Sequence, residues 1–260
     1  MKIQILRCKT FCVLSVFVLF SLIFSGCAAM PEIIDLKQDE SFTHDEIVAG
    51  MMGVGGVVSI ANDLDESESR KYAGLLKDSF QSARKELVIL PVEEVVRWIG
   101  NDDYQTIFHN YKYTGNLNLD FLKNQTSQAA FRYLLLARII ENDVSETRIR
   151  CPRPEIPTQF DLKGNPIIKE IAVELISTRR IDVSLDIYDL KKKILVFSGI
   201  INESKSKTRT AYYEKKDEGI GRTFALIPVR AFLEVALKPS APSTDELLHK
   251  IFKAFARYIP

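Results

Sequence analysis

The chain has 260 residues, 46% hydrophobic and 27% charged, with 35 Lys plus Arg against 34 Asp plus Glu. A balance so close to neutrality excludes the basic field that a nucleic-acid-binding surface requires. The apolar fraction excludes a disordered chain, and the length suffices for one ordinary domain or two small ones with a real core.

Lys2, Arg7 and Lys9 precede an uncharged run from Phe11 to Phe24 that only Ser15 and Ser21 interrupt. This is the order of a secretory signal, and the run is short for the roughly 20 apolar residues that a spanning helix needs. At its end Ser25, Gly26 and Cys27 resemble the bacterial lipobox, although Phe24 stands where that motif usually has an aliphatic residue. The resemblance implies cleavage before Cys27, acylation of its thiol and attachment to a bilayer. Ala28 in place of an aspartate implies the outer membrane, with the body facing the periplasm. The expected organisation is residues 1–26 as signal peptide, 27–50 as tether and 51–260 as a single α/β domain. Without the signal, 32 basic residues face 34 acidic ones, and Cys151 is the one cysteine apart from Cys27, so no internal disulfide is expected.

Residues 28 to 50 carry Pro31, many charges and no sustained period, which reads as a tether. The glycine tract MMGVGGVVSI follows and leads into an expected strand over Val57 to Ile60. A phosphate loop fits this tract poorly, because Val57 and Val58 occupy the place of its Gly-Lys; close backbone packing or a flexible hinge is the better account. Asp65 and Glu68 stand at capping-box spacing, and Tyr72, Leu75, Leu76, Phe80 and Ala83 predict one helical face. A short strand from Leu87, a helix starting at Pro91, and a helical stripe of Tyr104, Ile107, Phe108 and Tyr111 ending at Gly115 come next. A weaker helix is expected over Leu119 to Ala130.

YLLLARII, from Tyr133, reads as a buried strand running on into ENDVSETRI, and the proline-rich loop CPRPEIPTQFDLKGNP should hold nothing regular. Ile181, Val183, Leu185 and Ile187 then alternate with Asp182, Ser184, Asp186 and Tyr188, the period of a half-buried strand, and ILVFSGIIN returns as its hairpin partner. Residues 202 to 238 give no clear element. Ser243 and Glu246, at capping-box spacing, open an amphipathic closing helix bearing Leu247, Leu248, Ile251, Phe252 and Phe255.

The fold class is therefore α/β (α+β): a mixed sheet with a long antiparallel hairpin, helices packed on it, and a C-terminal amphipathic helix. GVVSI, YLLLARI and above all VSLDIYDLKKKILVFSGII resemble the compact domain shared by curli-secretion-type lipoproteins, the peptidoglycan-synthase-activating lipoprotein and the amino-terminal domain of TolB. Asp189 takes the place of that family's aspartate, and Lys191 to Lys193 that of its turn. The resemblance implies a non-catalytic binding or assembly module of the cell envelope. Its partners would be the bilayer, through Cys27, and an envelope protein or cell-wall component, with a homo-oligomer as a further option.

Catalytic chemistry finds little support in the residues. His44, His109 and His249 are isolated in sequence, and HExxH, CxxC and GxSxG are missing. The acids Glu93 and Glu94, Asp102 and Asp103 diverge on helices, and Asp182, Asp186 and Asp189 read as the solvent side of a strand. No catalytic, cofactor or metal residue is therefore assigned. Tyr212 and Tyr213, in a polar stretch beside lysines, are candidates for a partner surface, while Tyr104, Tyr111 and Tyr113 read as core or rim of one helix. Two rival readings stand beside the binding module. One is an envelope hydrolase with a site assembled across the sheet ends, for which His109 against a buried acid would be the sign; the other is a self-assembling ring or secretion component.

Overall fold

A computed structural model describes residues 30–119, 130–150, 159–160, 166–167, 170–214 and 238–260. Within it, Glu32–Pro260 forms one compact unit. Among the described residues, regular structure begins earlier than expected. Strand β1 (Ile33–Gln38) pairs antiparallel with a strand near the far end of the chain, and helix α1 (His44–Ala49) follows at once. Phe42 and Ile47 are buried, so most of the expected tether belongs to the folded body, which begins near Glu32 instead of Met51. Five residues, Ala28 to Glu32, separate Cys27 from β1.

Strand β2 (Met52–Ser59) is wholly buried and contains the glycine tract instead of following it. Helix α2 (Glu66–Ala83) starts with the expected capping box, Asp65 accepting from the Glu68 amide at 2.7 Å while Glu68 accepts from the Asp65 amide. The two-residue strand β3 (Ile89–Leu90) stops at Pro91, which cannot donate to a ladder and instead begins helix α3 (Val92–Ile99). Helix α4 (Asn101–Thr114) ends at Gly115, whose φ of 69° is the left-handed stop.

Strand β4 (Tyr133–Arg150) runs as read from sequence. A small hairpin of β5 (Gln159–Phe160) and β6 (Pro166–Ile167) crosses the proline-rich segment that was expected to hold nothing regular. Strand β7 (Glu170–Asp189) begins eleven residues before the alternating stretch, and β8 (Ile194–Glu214) continues well past ILVFSGIIN. Helix α5 (Thr244–Tyr258) closes the described residues as expected, but Ser243 makes no side-chain cap; Glu246 instead pairs with Lys205 of β8.

The main sheet has the order β1-β8-β7-β4-β2-β3, antiparallel as far as β4 and parallel from β4 through β2 to β3. The mixed sheet with packed helices and a closing helix is the fold class read from sequence. One face carries Ile139, Ile181, Leu185 and Ile187 under α2 and α5. The other carries Leu134, Leu136 and Val58 against α3 and α4. Beyond the last β1 and β2 pairs, at Ile201 and Ile139, strands β4, β7 and β8 go on as a three-stranded arm.

Candidate functional site

Strand order reverses at β2: the chain leaves it to form β3 on one side and returns later to place β4 on the other. In open sheets of this kind ligands settle outside the carboxyl ends of parallel strands at such a switch point. A groove of about 470 Å³ lies there, between the start of α2 and the α3–α4 pair, which is within the size range of specific ligand sites. Its floor is apolar, with Val57, Val58, Val92, Val96 and Phe108.

Two hydroxyls cross the groove to carbonyls of β2. Ser69 donates to the Val57 oxygen and Tyr104 to the Gly55 oxygen, each at 2.8 Å. Tyr104 is placed by its stack on Phe108, with ring centroids 5.1 Å apart, and both rings lie against Gly56. That approach is possible only because β2 has a bulge between Val54 and Gly56 and no side chain at Gly56, whose φ is +136°. Burial pushes the Tyr104 hydroxyl well above its ordinary pKa, so it remains a donor.

The ionisable lining is largely committed to structure. Arg70 bonds Glu66 at 2.5 Å, Lys112 bonds Asp63 at 2.7 Å, and Asp65 caps α2. The Glu93 carboxylate, in the first turn of α3, has no hydrogen bond or ion pair among the described residues. His109 is exposed at the rim with its ring 4.9 Å from that of Tyr113, and among the described residues no carboxylate bonds it. The arrangement that would mark the hydrolase reading is therefore not formed at His109. Among the described residues no three His, Cys, Asp or Glu side chains gather as a metal site, and no helix is long and apolar enough to cross a membrane.

The alternating acids of β7 are not a solvent face, contrary to expectation. Asp182, Ser184 and Asp186 are buried. Tyr111 of α4 donates to Asp186 at 2.6 Å, and the Tyr188 hydroxyl accepts from the Leu117 amide at 3.1 Å. Burial raises the Asp186 pKa against the lowering effect of the Ser198 and Tyr111 hydroxyls and of Arg138 and Lys37. A folded-state pKa above the unfolded value gives stability that is full below the ordinary carboxylate range and lost as pH rises through the folded value. Asp186→Asn keeps an acceptor for Tyr111 without the buried charge. It should therefore be more stable than wild type at pH 7, with the gap in urea midpoint closing as pH falls towards 4; a constant gap would contradict this account.

The remaining residues singled out from sequence are scattered. Tyr111 is core and Tyr113 is exposed. Glu94 pairs with Arg97, and the Asp102 carbonyl accepts from Thr106. His249 bonds Ser79 at 2.8 Å, tying α5 to α2, and His44 bonds Arg84. Tyr212 and Tyr213 are placed by their backbone near the end of β8, opposite Ala172 and Ile171. Cys27, Cys151 and the helix expected over Leu119 to Ala130, apart from its two ends, lie outside the described residues. Sequence reading missed the groove itself, since its parts come from four elements and no local motif links Ser69 to Tyr104.

No family model matches the chain, and no curated protein matches it. Solved structures similar to it include the PelC dodecamer of Paraburkholderia phytofirmans, at 9% identity over 86% of this chain and 97% of that one, with a TM-score of 0.32. The LpoB C-terminal domain of Salmonella enterica is similar at 9% identity over 70% and 90%, with a TM-score of 0.30. Lipoprotein GNA1162 of Neisseria meningitidis is similar at 9% identity over 72% and 98%, with a TM-score of 0.27. A likeness of this degree carries no argument about what the chain does.

Proposed function

We propose that this protein is a lipid-anchored module of the bacterial cell envelope, held on the periplasmic side of the outer membrane through acylated Cys27, that binds a partner protein without chemically changing it. The observation that carries the binding part is the groove beside β2: it has an apolar floor and a polar lining whose groups mostly hold one another in place, with no nucleophile and base paired within that lining. The anchor part rests on the sequence around Cys27. With five residues between Cys27 and β1, extended chain spans at most about 20 Å, which keeps the folded body close to the lipid. Tyr212 and Tyr213 remain candidates for a second contact surface on the arm.

Two measurements test the two parts. Cys27→Ala should move the protein from the membrane fraction to the soluble periplasm; unchanged membrane association removes the anchor. A photo-crosslinker placed at Gln105, on the groove rim, should give one discrete adduct in intact cells, and an adduct pattern no different from that of a crosslinker on the far face at Lys253 removes the groove as the contact site.

A further inference from the structure

The groove has the form of a missing strand. Strand β3 pairs with β2 only at Met52 and Gly53 before Pro91 ends it. From Gly55 onward that edge of β2 meets no strand among the described residues. The Ser69 and Tyr104 hydroxyls reach the Val57 and Gly55 carbonyls, two residues apart, which is the interval at which a neighbouring strand delivers its amides. In a strand the amide and carbonyl of a residue point the same way, so the Val57 amide, and that of Ser59 two residues on, face the same side. Helix α2 on one side and α3–α4 on the other wall this position without filling it.

We propose that an extended segment of the partner protein occupies this position, prolonging β3 beside β2 and displacing the two hydroxyls. This rests on the binding reading above and names what is bound. Main-chain bonds to Gly55, Val57 and Ser59 supply affinity, and alternate side chains enter the apolar floor. The charge of the groove selects the segment. Arg70 and Lys112 are matched by Glu66 and Asp63, which leaves Glu93 unmatched at the β3 end. The occupant therefore carries a basic residue at that end and apolar residues at alternate positions after it.

The test uses the full chain in detergent micelles and two probes, the acetylated, amidated peptides Lys-Val-Thr-Val-Thr and Glu-Val-Thr-Val-Thr. The lysine peptide should bind about threefold or more tightly than the glutamate peptide, as expected for one partly exposed ion pair, and Glu93→Gln should abolish the preference. Binding should slow hydrogen exchange at the Val57 and Ser59 amides. Tyr104→Phe removes one competing donor and should tighten binding about threefold. Binding of neither peptide, or binding that leaves those two amides unprotected, overturns the strand position. Equal binding of the two peptides overturns the charge assignment. If the strand position fails while Cys27→Ala still releases the protein and Gln105 still cross-links, the anchored binding module stands and only its mode of recognition is wrong.

Discussion

Gly56→Ala should destabilise the folded body by about 3 kcal/mol and erase the groove, because two costs fall on one atom. The φ of +136° is one that side-chain-bearing residues rarely adopt. A β-carbon there would also stand 2.7 Å from Phe108 Cζ and 2.9 Å from the Tyr104 hydroxyl, pushing apart the stacked pair that roofs the bulge. For a body of this size the loss corresponds to a fall in melting temperature of about 10 °C. Two other glycines separate the contributions. Gly100→Ala, with φ +89° and nothing within 4 Å of the added carbon, should show the backbone cost alone. Gly74→Ala, inside α2 with open space around it, should stabilise by about 0.5–1 kcal/mol. Thermal unfolding of the three variants checks the ranking, and a Gly56→Ala protein as stable as Gly100→Ala would show that the rings yield.

Asp189→Ala should cost about 3 kcal/mol, the low end of the range for breaking a buried ion pair, because Arg132 keeps Glu46 as a partner while two turn amides lose their acceptor. Asp189 is 1% exposed and accepts from Arg132 through Nε at 2.9 Å and a terminal nitrogen at 2.8 Å. Its other oxygen accepts from the amides of Lys191 and Lys192 at 2.9 and 3.0 Å, closing the β7–β8 turn. Arg132 in turn bonds Glu46 of α1 and lies over the Tyr133 ring, so one carboxylate joins the hairpin, the start of β4 and the first helix. Asp189→Asn retains an acceptor for the turn amides but not the charge, and should fall between wild type and alanine. Urea denaturation together with exchange at the Lys191 and Lys192 amides distinguishes the roles. Loss of stability without faster exchange would assign Asp189 to Arg132 only.

What could be read from the residues was what is local. The Asp65–Glu68 cap and the Ile181 to Ile187 alternation depend on neighbours a few positions apart, and both stand in the structure. Alternation gives two faces but does not say what covers the second. Asp186 looks like a surface residue until α4 brings Tyr111 onto it from 75 positions away. Strand β1 escaped notice because Ile34 and Leu36 are exposed and backbone pairing to β8 holds it, so no hydrophobic period marks it. The far part of β8 alternates hydroxyl with cation in SKSKTRT, a strand period written without apolar residues. At Ser243 the cap signal was present, but Lys205 engages Glu246. The groove was illegible for the same reason as Asp186, since Ser69 and Tyr104, 35 positions apart, come together only along one edge of β2.

The pairing of β1 with β8 bears on how the chain folds as it is made. The first stretch of the body to emerge finds its ladder partner some 160 positions later, near Phe197 to Ile201. Until synthesis has delivered that late segment, β1 has a bare hydrogen-bonding edge. Contacts so distant in sequence form slowly and leave edges open to the wrong neighbour. The newborn protein should thus depend on holding chaperones for longer than its size alone suggests.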